Sequence, residues 1–159
     1  MNRTRIWIAL AIILVLAGIV LGVDAWRRSR AVELAPGSIP IYVDGDLSGG
    51  FLPTDLDSLE QASFVDAEEG KTQEGWMLRD VLQLHVHESV LQPDTRIVVS
   101  SSSRDRSAEL AWAEVDDVAN MVMFDVSGKG TLKLVSTLER LDTRDEWVQD
   151  VDRIEVSRP

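Results

Sequence analysis

The stretch GWMLRDVLQLH, Gly75–His85, decides how the fold is read. Met77, Leu78, Val81, Leu82 and His85 fall on one stripe at helical spacing, which predicts an amphipathic helix. Two further segments read the same way. PTDLDSLEQ, Pro53–Gln61, offers Thr54 as an N-cap ahead of Leu56 and Leu59, and AWAEVDDVA, Ala111–Ala119, predicts a third short helical turn.

Around these helices the chain is written in short strand-like runs. They are IPIYVDG from Ile39 with a turn at Asp44-Gly45, ASFVDAEE from Ala62, TRIVVSS from Thr95, SAELAWAEV from Ser107, ANMVMFDV from Ala119, GTLKLVSTL from Gly130 and VDRIEVS from Val151. Each is bounded by Gly, Pro, Asp or Ser clusters, as strands usually are. The sum predicts an α+β domain over residues 39–159, with a mixed, mainly antiparallel sheet and short helices between strands.

The N-terminal part has a different character. Residues 6–23, IWIALAIILVLAGIVLGV, are 18 consecutive residues without a charge. As a helix they would rise about 27 Å, against a hydrocarbon core of about 30 Å. That run is longer than the apolar region of a cleaved signal, and Trp7 and Trp26 stand where interfacial anchors belong. The expected organisation is a basic tail over 1–5, one transmembrane signal-anchor helix over 6–26, a juxtamembrane linker over 27–38 and the folded domain from 39. The arginines on the two flanks almost cancel. The basic leader and early apolar segment, which an export signal also needs, favour placing the domain outside the cytoplasm as part of a single-pass membrane protein.

Beyond residue 30 the chain holds 11 of the 16 Lys and Arg and 26 of the 27 Asp and Glu, a net charge of −15. Such a surface repels nucleic-acid phosphates and points instead to a basic protein partner or a membrane complex. The sequence contains no cysteine, which excludes disulfides, thiolate metal sites and cysteine nucleophiles.

Read in order, EGWMLRDVLQL, TRIVVSSSSRDRSAELAW, EVDDVANMVMFDVSG, GTLKLVS and EWVQDVDRIEV resemble the molybdopterin-binding domain of the sulfite-oxidase-like family. The resemblance covers roughly residues 39–156 and is closest over 74–156. It implies a molybdopterin-binding-like fold and a cofactor site. The chain departs from the family at its chemistry: the cysteine thiolate that ligates molybdenum in active members is missing. The G-x-P-L-R-L-V turn carries Lys133 in place of arginine, and the D-G-Y turn is replaced by SSSSRDRS. The residues standing where cofactor contacts would fall are Ser102, Ser103, Arg104, Arg106 and Lys133.

Other candidate sites have plainer readings. Gly128-Lys129-Gly130 could present N–H groups to a phosphate, but the strand period of the following TLKLV makes it a hairpin turn. His85 and His87, spaced HVH, are weak metal-ligand candidates, because at a helix end they do not share a face. No catalytic triad or acid–base pair can be assembled from the sequence. The expected function is therefore a membrane-anchored, non-catalytic binding or assembly module with no cofactor of its own. Its alternatives are a molybdopterin-dependent oxidoreductase or accessory subunit, and an extracytoplasmic small-ligand sensor or carrier.

Overall fold

The computed structural model describes residues 33–159, of which Leu34–Pro159 form one compact unit. Its ten strands are β1 (Ile39–Val43), β2 (Asp46–Phe51), β3 (Gln61–Val65), β4 (Thr72–Met77), β5 (Arg96–Ser101), β6 (Arg106–Ala111), β7 (Met123–Val126), β8 (Leu132–Val135), β9 (Val148–Gln149) and β10 (Arg153–Ser157). Two α-helices, α1 (Leu78–His85) and α2 (Trp112–Asp116), and three short 3-10 turns lie between them.

The strands form two five-stranded sheets, in the orders β2-β1-β10-β5-β6 and β3-β4-β7-β8-β9. Every described pairing is antiparallel except β1 with β10. This corrects the α+β expectation: the domain is predominantly β. The segments expected as helices shrink for local reasons. Pro53–Ser58 closes as a 3-10 turn, with the Leu52 N–H donating to Asp55 Oδ2 at 2.8 Å. Trp76 and Met77 finish β4, so helix α1 begins only at Leu78, after Met77 at φ −61°, ψ 130°. α2 is five residues long. Elements this short cannot make a layer, and they serve as plugs over the sheets.

The transmembrane span expected over 6–26 lies outside the described residues. Among those described, no helix is long and apolar enough to cross a membrane.

The core follows from strand parity. Cross-strand partners share a face, so Ile41, Ile154, Val99 and Ala108 form one apolar row across the first sheet. Trp76, Phe124, Leu134 and Val148 form another across the second. All eight belong to one buried cluster, which Leu78, Val81 and Leu82 of α1 join. The second sheet also carries apolar residues on its opposite face, where Met77, Met123, Val135 and Trp147 make a smaller cluster. The matching face of the first sheet is polar, with Arg153 over the Tyr42 ring at 4.1 Å.

Gly128–Gly130 is the hairpin turn between β7 and β8. Gly130 takes φ +79° and donates its N–H to the Ser127 carbonyl at 2.8 Å, a conformation that favours glycine.

Candidate functional site

β6 is an edge of the first sheet and β9 an edge of the second, and the two edges meet at a seam. A hollow of about 170 Å³ opens there, lined by Arg104, Arg106, Arg144, Asp145, Trp147 and Gln149. Arg104 and Arg106 come from the β5–β6 turn and the start of β6, and Arg144, Asp145, Trp147 and Gln149 from the segment that leads into and through β9; a tight turn adjoins each. The β5–β6 turn bends through Asp105 at φ +51°, and the β9–β10 turn bends through Asp150 at φ +56°. Aspartate tolerates this left-handed region better than most side chains.

The turns are cross-braced. Asp152 Oδ2 accepts the Ser102 N–H at 2.9 Å and also the Ser102 hydroxyl. Asp150 accepts the Thr131 hydroxyl at 2.7 Å and Arg104 Nε at 2.6 Å. The Thr131 hydroxyl and then the Arg104 guanidinium hold the Asp150 carboxyl below its usual range, against a smaller opposing effect of burial.

The three arginines differ in commitment. Arg104 spends one N–H on Asp150, and Arg144 donates Nη1 to Glu69 Oε1 at 2.6 Å. Both are thereby fixed in direction while keeping other donors free. Arg106 is in no salt bridge among the described residues. The hollow thus gathers one guanidinium in no described ion pair and two anchored ones, with Asp145 in the same lining; planar guanidinium forks receive carboxylate or phosphate oxygens in bidentate fashion.

The structure sorts the sequence candidates. Arg104 and Arg106 line the hollow. Ser102 braces Asp152, and the Ser103 hydroxyl lies 3.2 Å from that of Ser101, so both serines build the turn. Lys133 is not in the lining of the hollow, though it stands opposite Gln149, which is. It stands on the outer face of the second sheet, pairs with Asp125 at 2.9 Å, donates to Gln73 Oε1 at 2.7 Å and sits 5.0 Å from the Trp147 ring centroid. Gln73 in turn donates to the buried Asp66, which also accepts the Glu69 N–H. Lys133 is therefore a partly buried structural cation. Arg144 and Gln149 were not found from sequence, since they come from a segment without apolar period. Trp147 is buried and donates Nε1 to the Leu141 carbonyl at 3.0 Å.

The histidines do not converge. His85 ends α1 and stacks on Phe51 at 5.6 Å between ring centroids, while His87 Nδ1 caps a 3-10 turn by accepting the Ser89 N–H at 3.2 Å. Among the described residues no three His, Asp or Glu side chains are grouped as metal ligands.

Burial lowers the His85 pKa, with Asp55 partly opposing. The unfolded chain therefore takes up a proton first on acidification, and stability should begin to fall as pH drops below about 6.5. A second loss should follow below about pH 4, where Asp66, Glu114 and Asp150, all held below their ordinary values, take up protons. Melting temperature measured from pH 8 to 3 checks both steps, and His85→Gln should remove the first alone.

Compared with family models and with curated proteins, the chain matches none.

Proposed function

We propose that the folded domain is a non-catalytic binding module whose ligand presents an oxyanion to Arg104, Arg106 and Arg144. One observation carries this reading: in a region of net charge −15, an arginine free of any described ion pair shares the lining of a concave seam with two braced arginines. Leaving a guanidinium uncommitted among so many carboxylates makes a ready receptor for an anion.

A second reading has its own support. Arg104 and Arg106 are two of the five residues, with Ser102, Ser103 and Lys133, that the likeness to the sulfite-oxidase-like molybdopterin-binding domain marks for cofactor contact. The oxyanion would then be the phosphate of a molybdopterin, and the domain an oxidoreductase or its accessory. Arg104 and Arg106 suit the phosphate end of that cofactor, whereas its metal centre finds no thiolate in the chain. The uncharged run over 6–23 supports carriage of the module on a membrane, and the basic leader before it favours the side away from the cytoplasm.

The test is titration of the full chain, in nonionic detergent, with inorganic phosphate and pyrophosphate. Arg106→Glu should weaken binding tenfold or more, since a charge-assisted hydrogen bond contributes about 1.5–3 kcal/mol. Unchanged binding by that variant would remove the proposal. Pterin analysis of protein from a cofactor-producing host separates the two readings.

A further inference from the structure

The two sheets have four edges, and three of them are blunted against pairing with another chain. On β6, Arg140 Nη2 donates to the Glu109 carbonyl at 3.3 Å and pairs with Glu114 Oε2 at 2.6 Å, and the same carboxylate oxygen accepts the Ala111 N–H at 2.9 Å. Side chains there occupy the places of a neighbouring strand. β9 is two residues long. β2 carries Asp46 and the pair Gly49-Gly50, and its register against β1 shifts at Ile41/Tyr42.

β3 has none of these devices. Its sequence, QASFV, contains no charge, proline or glycine, and it pairs residue for residue with β4 without a bulge. The Asp66 N–H donates to the Lys71 carbonyl at 2.9 Å, which sets the phase of the ladder. In an antiparallel pair hydrogen-bonded and non-bonded positions alternate, so Gln61, Ser63 and Val65 direct their N–H and C=O groups away from β4. Among the described residues nothing pairs with that side of β3. Val65 is 63% exposed, while Ala62 and Phe64 lie half-buried against Met77, Met123, Val135 and Trp147.

We infer that β3 is a docking edge that takes an extended basic segment of a partner protein as a sixth strand. Charge selects the occupant. Glu60 precedes the strand, Glu74 stands opposite Ser63, and neither is in an ion pair among the described residues. A second copy of this chain would set acidic residues against acidic residues. A segment alternating apolar and Lys or Arg residues would rest its apolar side beside Ala62 and Phe64, extending the outer apolar cluster. Its cations would lie beside Ser63 and reach toward Glu74. Backbone hydrogen bonds would hold it and the alternate side chains would select it.

The probe is the peptide acetyl-KVKVKVK-amide, followed by fluorescence anisotropy against the full chain in nonionic detergent. Binding is expected, with none for the EVEVEVE peptide or for a KV peptide N-methylated on alternate residues. Ser63→Pro, which removes only an outward N–H, should weaken binding tenfold or more. Val65→Lys, at an exposed site that places no demand on folding, should weaken it as well. Equal binding by both folded variants would overturn the inference, as would equal binding of the N-methylated peptide. A wild-type dimer that Ser63→Pro dissociates, with no peptide bound, would assign the edge to a second copy and also overturn it.

Discussion

A Gly75→Ala chain is expected to lose about 3 kcal/mol or more of folding stability, the upper range for overpacking a filled site. A Cβ at Gly75 would lie 1.8 Å from the Phe124 carbonyl oxygen and 2.7 Å from its carbon. The obstacle is backbone, so no rotamer change relieves it. Gly75 faces Asp125 across the β4–β7 pair, and Trp76 and Phe124 beside them form the centre of the second sheet's core row. Relief requires β4 and β7 to separate, opening the contact of Trp76 with the core. Gly128→Ala is the matched control: nothing lies within 4 Å of its Cβ, and its stability should stay within about 0.5 kcal/mol of the parent. Urea unfolding of the two variants reads the difference.

Lys133→Met is the second large effect. Removing the ammonium leaves the Asp125 carboxylate, 13% exposed, without its partner, and leaves the Gln73 carbonyl oxygen without its donor. Breaking a buried pair from one side costs about 3–5 kcal/mol, and the residual exposure here lowers the expected loss to just below that range, about 2–3 kcal/mol. Replacing both partners, Asp125→Asn with Lys133→Met, should recover much of that loss, because no uncompensated charge remains. Phosphate binding by the folded Lys133→Met chain should be unchanged. A binding defect without a stability defect would return Lys133 to the ligand site.

The two variants also mark where sequence reading succeeds and stops. β10 is legible because Ile and Val alternate with charged residues along it, and β1 and β5 because they are short Ile- and Val-rich runs bounded by turn residues. β4 is harder: Met77 satisfies both the helical stripe and the strand, and Gly75 offers no side chain to reveal its face. Only close packing of backbone against Phe124 explains why a glycine stands there. β2 was hidden by Gly49-Gly50, and β9 is too short to show a period. The α+β reading followed from weighting three short helical patterns that burial against two sheets reduces to turns and plugs.

At the site, Arg104 and Arg106 were legible as cations in a polar turn. Arg144 and Gln149 join them only through the meeting of β6 and β9, a contact that no local pattern encodes. Lys133 is legible as a charge, but its engagement with Asp125 and Gln73 is not. Its strand parity places it on the face of Asp125 and Gln73, whereas Leu132 and Leu134 take the core.

The most direct test of the anion-binding account is the indole N–H resonance of Trp147 in the full chain, followed during a pyrophosphate titration. Trp147 Nε1 is fixed to the Leu141 carbonyl at the floor of the arginine hollow, beside Arg104, Arg106 and Arg144. The account predicts a saturable shift of that resonance, together with the backbone amides of residues 104–106, abolished by Arg106→Glu in a protein that remains folded. A titration that leaves these signals in place, or moves them equally in the Arg106→Glu chain, would contradict it.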